Sequence, residues 1–267
     1  MKNARLVTGS GPGDWNMAFD RLLMERVRTG RWDFVLRTYG WRPACVSLGK
    51  LQNASLEVDR AALAEAGYGL VRRPTGGRAV WHEREVTYSV VARLDHPMVS
   101  GSVSEALCRV AAPMARAMRN LGIDAALAAS DTHRYAGPRE PANPCFTSHG
   151  RWEVGTSDGR KLVGSAQTRS RGVFLEHGSI LLSNDQPKLL DFLPAFVTTD
   201  ARSRLASRLS DGIAALREFL PGLEAAPVET ALTAAFADTL GEDFEELDPG
   251  ILHGPELDLL VEEQRHV

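Results

Sequence analysis

Between Trp152 and Leu182 the chain reads WEVGTSDGRKLVGSAQTRSRGVFLEHGSILL. Three strand-like runs, WEVGT, KLVGSAQTR and VFLEHGSILL, are separated by SDGR and SRG, whose glycines suit tight reversals. Strands joined by such short turns lie antiparallel, so this stretch predicts a three-stranded meander. A long run rich in β-branched and aromatic residues, EVTYSVVARL, and the runs WDFVLRTYGW, ACVSLG and GLVRR precede it. Asp14 is placed to cap a helix through WNMAFDRLLMERVRTG, with Met17, Phe19, Leu22, Leu23 and Val27 as apolar positions and Gly30 as the stop. Ser102 and Glu105 form a capping-box pattern that opens a helix running to Gly122, with Pro113 as a candidate kink. The last third reads as mostly helical. Strands clustered first and helices segregated later predict an α+β fold, a single domain on a mixed or antiparallel sheet flanked by helices.

The 267 residues, 43% hydrophobic and 24% charged, match a soluble globular chain with a substantial core. No apolar run approaches the roughly 18 to 20 residues that span a bilayer. The opening MKNARLVTGSGPGDWN lacks the apolar centre of a signal peptide, so a cytoplasmic location without a membrane partner is expected. Cys45, Cys108 and Cys145 are too few and too scattered for a disulfide framework or a zinc site, and no metal is expected. The net charge of −3 is unevenly distributed. Residues 222–267 hold twelve acidic residues against one arginine, a net −11, which leaves +8 on residues 1–221. An electropositive body followed by an acidic, mainly helical extension of the same domain is expected, and the body suits an acidic partner. Stacking aromatics and a basic recognition helix are lacking, so nucleic acid is not an expected partner.

The stretch RRPTGGRAVWH, residues 72–82, ends one strand and begins another. Adjacent glycines give the backbone freedom and remove the Cβ atoms that would keep a ligand away. With Arg72, Arg73 and Arg78 beside them, the exposed N–H groups suit a phosphate, a carboxylate or a carbonyl oxygen, although such a pair also serves as a plain turn. The spacing is that of neither a P-loop nor a GxGxxG turn. His82, close by, is either a packing or a pocket residue. Cys145 follows the turn-rich GPREPANP and precedes TSHG. It is a reactive thiol if a cation lowers its reference pKa of about 8.5, and an inert one otherwise. Lys161 lies one turn beyond WEVGT and is the candidate cation. Along KLVGSAQTR one face carries Lys161, Val163, Ser165 and Gln167 and the other Leu162, Gly164, Ala166 and Thr168, with small residues at 164–166 leaving room for a narrow ligand.

In this order, NMAFDRLLME, VSLGKLQN, RRPTGGRAVWHEREVTYS, PCF and GRKLVGSAQTRSRGVFLEHGSILL resemble the lipoate-protein ligase A-like proteins of the biotinyl/lipoyl protein ligase type, from about residue 14 to residue 183. The resemblance is closest to the cysteine-dependent bacterial branch, the octanoyl-acyl carrier protein:protein N-octanoyltransferases, because a cysteine stands in PCF and the loop reads GGRAV followed by EVTYS. It implies an acyltransferase catalytic domain over residues 1–221 that needs no cofactor. Cys145 would take octanoate from octanoyl-acyl carrier protein as a thioester. It would then pass the chain to the acceptor lysine of a lipoyl domain, on a 2-oxoacid dehydrogenase or the glycine-cleavage H protein. Lys161 would lower the thiol pKa and bond the acyl carbonyl. Arg73, Thr75, Gly76, Gly77, Arg78, His82, Gly164, Ser165 and Ala166 would form the acyl site, with the arginines serving the pantetheine phosphate or the acidic carrier. Relatives of other chemistry are the ATP-dependent lipoate-protein ligase and the octanoyl amidotransferase between lipoyl-bearing proteins; a non-catalytic acyl-binding protein is the reading from a different class. Lys50 and Leu51 depart from the usual pattern before Gln52, which bears on side-chain details of the pocket.

Overall fold

In the computed structural model the described residues are 2–128 and 152–265. The elements are β1 (Asn3–Gly11), α1 (Gly13–Arg28), β2 (Phe34–Trp41), β3 (Cys45–Leu48), α2 (Ala54–Glu57), α3 (Arg60–Glu65), β4 (Gly69–Arg72), β5 (Val80–His82), β6 (Glu85–Arg93), α4 (Val103–Asn120) and β7 (Ala125–Leu127). They continue as β8 (Val154–Thr156), β9 (Val163–Ser170), β10 (Val173–Leu181), α5 (Thr199–Asp211), α6 (Leu216–Phe219), α7 (Ala225–Leu240), β11 (Glu245–Glu246) and α8 (Pro255–Gln264).

The main sheet has the order β11-β1-β2-β6-β10-β9. Its β11, β1 and β2 pairings are parallel, whereas β2, β6, β10 and β9 pair antiparallel, so the sheet is mixed and the fold is α+β as expected. A smaller sheet, β4-β3-β5, stands beside it, with β3 parallel to β4 and antiparallel to β5. The acidic β11 and the parallel β1 carry no clear alternation, and neither was anticipated from the sequence.

Two expectations are corrected. The three-stranded meander is a hairpin of β9 and β10 only. Strand β8 pairs instead with β7 in a separate two-stranded sheet, and it touches the following run through a single Gly155–Lys161 bridge. The ladder stops there because the Lys161 amide donates to Gly212 O at 2.9 Å and its carbonyl accepts from Ala214 N at 2.9 Å. The first helix begins at Gly13 with Pro12 at the N-cap, and Asp14 sits inside its first turn. A Cβ at Gly13 would lie 2.6 Å from Cys45 Sγ, so the helix start packs directly on β3. The Ser102–Glu105 capping box is formed, and Pro113 is buried within α4.

The core lies on both faces of the main sheet. Ala18, Phe19, Leu22 and Leu23 of α1 pack on Val35, Val91 and Leu175 on one face. Met114 and Met118 of α4, with Leu232 and Phe236 of α7, pack on Phe34, Tyr88, Val90 and Phe174 on the other. Within the acidic C-terminal segment, α8 lies on α1 through Arg21–Glu263 at 2.7 Å, Arg26–Glu256 at 2.5 Å and Arg265–Asp14 at 3.2 Å. Such solvated pairs contribute about 0–1 kcal/mol each. Among the described residues no helix is long and apolar enough to cross a membrane.

Candidate active site

Side chains alternate across a strand, and cross-strand partners share a face. On the α1 face three rows therefore cross the sheet. Val35, Val91, Leu175 and Thr168 stand abreast; Arg37, Ser89, His177 and Ala166 form the next row; Tyr39, Thr87, Ser179 and Gly164 form the third. The face changes from apolar to polar within two rows. The polar rows border a narrow cavity with a free volume of about 30 Å³. Its wall on edge strand β9 is Gly164, Ser165 and Ala166; Met17, Tyr39 and Trp41 close the β2 side, and Arg73, Val80 and His82 come from the smaller sheet.

Two histidines face this space, each bonded to a carboxylate and a hydroxyl. His177 Nδ1 lies 3.1 Å from Asp20 Oδ2, and its Nε2 lies 2.7 Å from Thr75 Oγ1. Burial lowers the His177 pKa below 6.5 despite the neighbouring Asp20. In the neutral ring Nδ1–H donates to the carboxylate, so Nε2 accepts from the Thr75 hydroxyl. Asp20 is fully buried and also accepts from Arg37 Nη1 at 2.7 Å and Ser89 Oγ at 2.9 Å. Burial alone would raise its carboxyl; the Arg37 guanidinium and His177 hold it below the ordinary 3.8.

His82 Nδ1 lies 2.9 Å from Glu85 Oε1, and its Nε2 lies 2.6 Å from Ser47 Oγ. The ring stacks on Trp41 with centroids 4.1 Å apart. Trp41 Nε1 donates to Thr87 Oγ1 at 2.7 Å and to Glu85 Oε1 at 3.2 Å, and Ser179 Oγ donates to the same Glu85 oxygen at 2.8 Å. His82 is thus a wall residue locked in one orientation.

The glycine loop is held from beneath by Arg73. Its guanidinium donates to Ser47 O and Oγ at 2.8 and 2.7 Å, to Gly76 O at 3.0 Å and to Arg78 O at 2.8 Å. Lys50 N donates to Thr75 O at 2.8 Å, and a Cβ at Gly49 would lie 2.1 Å from Gly77 O. The loop and the 49–50 segment therefore touch backbone to backbone. Gly77 takes φ +94°, open chiefly to glycine. Gly76 and Gly77 are exposed. Arg72 Nη1 donates to Gln52 O at 2.6 Å and Gly49 O at 3.1 Å. The arginines expected to meet a phosphate thus include two, Arg72 and Arg73, that bond loop carbonyls.

Of the residues singled out from the sequence, Arg73, His82, Gly164, Ser165 and Ala166 line the cavity. Thr75 reaches it through His177, while Gly76, Gly77 and Arg78 do not line it. Lys161 precedes β9, is 1% exposed, and its Nζ lies 2.7 Å from Glu153 Oε1. It does not line the cavity. Cys145 lies outside the described residues. Cys45 is buried on β3, where desolvation, with Asp14 and Glu85 nearby, pushes its thiol far above the usual range. Cys108 is half-buried on α4. Lys50 and Leu51, the departures from the family pattern, point outward: Leu51 is 93% exposed and Lys50 lines an open groove with Arg21, Arg28, Arg171 and Arg73. Arg73 borders both groove and cavity.

His177, Asp20, Glu85, Trp41 and Ser47 escaped the sequence reading. The available signal was period-2 polarity: His177 and Ser179 alternate with Gly178 and Ile180 along β10.

The lipoyl protein ligase A/B catalytic domain family matches residues 12–237. Octanoyltransferase LipM of Kyrpidia tusciae is 44% identical over 261 residues, covering 96% of this chain and 93% of that protein. Octanoyltransferase LipM of Moorella thermoacetica is 39% identical over 241 residues, covering 90% and 86%. Among solved structures, a bipartite lipoate protein ligase from Thermoplasma acidophilum superposes with a TM-score of 0.76 at 24% identity, covering 98% of this chain and 91% of that one, a likeness of fold. On the match over most of its length, this chain belongs to the lipoyl protein ligase A/B catalytic domain family.

Proposed function

We propose that this chain is an octanoyltransferase of lipoate biosynthesis, taking octanoate from octanoyl-acyl carrier protein and delivering it to the acceptor lysine of a lipoyl domain. The observation that carries the reading is the near full-length similarity to proteins named octanoyltransferase. The narrow cavity across the α1 face is consistent with it. From β9 to β2 its lining spans three strand spacings of about 4.8 Å, the length scale of a medium-length acyl chain. Each buried methylene contributes about 0.8 kcal/mol.

In this reading the Cys145 thiolate attacks the donor thioester carbonyl and the pantetheine thiol leaves with a proton. The lysine amine then attacks the enzyme thioester, an amide forms, and the cysteine is released, a ping-pong sequence. A thioester is already activated, so no adenylate is needed. Lys161 supplies the cation; each pKa unit of depression favours the thiolate by about 1.4 kcal/mol. Backbone N–H groups of the glycine loop and of Gly164–Ala166 serve the carbonyl oxygen. The groove beside Arg73 suits the pantetheine phosphate and an acidic carrier docked by charge, with lipoyl domains of 2-oxoacid dehydrogenases or the H protein as acceptors. Residues 1–221 form the catalytic part and 222–267 its acidic extension, in the cytoplasm.

The test mixes the protein with octanoyl-acyl carrier protein without ATP and reads intact mass. A hydroxylamine-labile octanoyl adduct, mapped to Cys145 and missing in Cys145→Ala, is expected. No adduct at any donor ratio sinks the proposal, and lipoylation from free lipoate only with ATP would point to a ligase instead.

A further inference from the structure

Beneath the cavity, on the α4 face of the sheet, lies a buried acid for which the transfer reaction has no use. Glu176 on β10 is 0% exposed and stands between Val90 of β6 and Gln167 of β9. Its Oε1 accepts from the Tyr88 hydroxyl at 3.1 Å, while Oε2 is buried without a hydrogen-bond partner among the described residues. Gln167 Nε2 donates to Val103 O at 3.2 Å, while Gln167 Oε1 is likewise buried without a hydrogen-bond partner among the described residues. Directly opposed side chains on neighbouring strands have Cβ atoms about 5 Å apart. One proton on Glu176 satisfies both orphan oxygens, because a carboxylic acid donates where a carboxylate only accepts. Burial acts the same way, raising the Glu176 pKa from 4.5 to about 8 against the lowering by Tyr88.

The adjoining row connects this acid to the cavity. Tyr88, Gly178 and Ser165 stand abreast. A Cβ at Gly178 would lie 2.8 Å from Tyr88 Cε1 and 2.3 Å from Gly164 O. The missing side chain lets the tyrosine ring lie across β10, in the same row as Ser165 of the cavity wall. Among the described residues β9 is the edge of the main sheet and pairs only with β10, so such ties set its position.

We infer that Glu176 is a positioning residue: as an uncharged acid it donates to Gln167 Oε1 and accepts from Tyr88, holding β9 and its Gly164–Ala166 wall in place for acyl transfer. The role rests on the octanoyltransferase reading. Among the described residues, the charged or titratable groups on the same face of the neighbouring strands are Tyr88 on β6 and Arg169 on β9, with the Lys161–Glu153 pair ahead of β9. The buried face of α4, with Ala106, Val110 and Met114, is apolar. Loss of the proton places an unpaired charge in that setting and breaks the Gln167 tie.

The test is the pH–rate profile of octanoyl transfer, from about pH 6 to about pH 10, for wild type, Glu176→Gln and Glu176→Leu. Wild type declines above about pH 8. Glu176→Gln keeps an amide donor and a carbonyl acceptor; it works within about threefold of wild type near neutrality and lacks that decline. Glu176→Leu lowers kcat by about tenfold or more with the donor KM changed less than about twofold. Gln167→Leu, at a half-buried edge position, gives the same kcat loss should Glu176→Leu not fold. An unchanged alkaline decline in Glu176→Gln, or wild-type kcat in either leucine variant, overturns the inference. Infrared titration gives a second readout: a carboxylic C=O band present at neutral pH, lost near pH 8 and missing in Glu176→Gln. Absence of that band in wild type overturns the inference whatever the activity. A wild-type protein that transfers no octanoate at any pH defeats the octanoyltransferase reading instead, and the infrared band still decides the state of Glu176.

Discussion

Thr75 Oγ1 lies 2.7 Å from His177 Nε2, tying the glycine loop to a strand 102 residues further along the chain. Through His177 the loop is anchored to Asp20 and Arg37 in the core. Thr75→Val keeps the shape and leaves Nε2 without its donor. The expected loss is about 1–3 kcal/mol in chemical denaturation, accompanied by slower octanoyl transfer. Unchanged stability and rate would show that the contact does not anchor the loop.

The same histidine gives the fold an acid sensitivity. Its folded pKa lies below 6.5, so the unfolded ring binds protons that the folded ring refuses. The stability that follows is complete above about pH 6.5 and declines as the pH falls below it. His177→Gln should flatten this part of the profile, read as urea midpoints at several pH values. Asp20 acts in the same direction at lower pH: its pKa lies below 3.8, and its contribution is lost only on passing beneath that value.

Glu176 has the opposite sign. Between 4.5 and about 8 the folded protein holds a proton that the unfolded chain releases, so stability falls as the pH rises across that window. Glu176→Gln should therefore become more stable than wild type by a margin that grows from about pH 4.5 to about pH 8 and then levels off. A melting-temperature difference independent of pH contradicts this.

Gly49→Ala probes the close approach of two backbones. Its Cβ would meet Gly77 O at 2.1 Å, and a carbonyl cannot swing aside as a side chain can. Displacement of the loop should lower acyl-enzyme formation by about tenfold or more; tenfold is about 1.4 kcal/mol, within the usual 1–3 kcal/mol of an overpacked site. Intact-mass time courses measure it; wild-type kinetics would mean the loop tolerates the shift.

Lys161→Met removes a buried ammonium from Glu153, whose side chain is 13% exposed. Breaking such a pair typically costs about 3–5 kcal/mol. Lys161→Met with Glu153→Gln should recover much of the stability and none of the acylation. Denaturation midpoints and adduct mass separate the two effects, and an active double variant would remove Lys161 from the chemistry.

The parts legible in the sequence were those with a local cause. Strands β2, β3, β4, β6, β9 and β10 appeared as runs within a few residues of their final bounds, and Ser102 with Glu105 announced the start of α4. Gly164–Ala166 stood out because three small residues in a strand leave space wherever that strand lies. The chemistry of Cys145 and Lys161 came from the family resemblance.

Pairing was not legible in the same way. The run WEVGT reads as a strand whether its partner is the next run or β7, and only the capture of the Lys161 backbone by residues 212–214 decides between them. Arg73 reads as a ligand-seeking cation until its guanidinium is seen bonding the carbonyls of Gly76 and Arg78. Asp20, Arg37, Thr75 and His177 sit on four separate segments and become one network only through the register of β2, β6 and β10. Local pattern determined which residues prefer strand, helix or turn, because torsions and periodicity are short-range properties. The tertiary structure alone decided which buried polar atoms share a proton, because that depends on contacts between residues far apart in the chain.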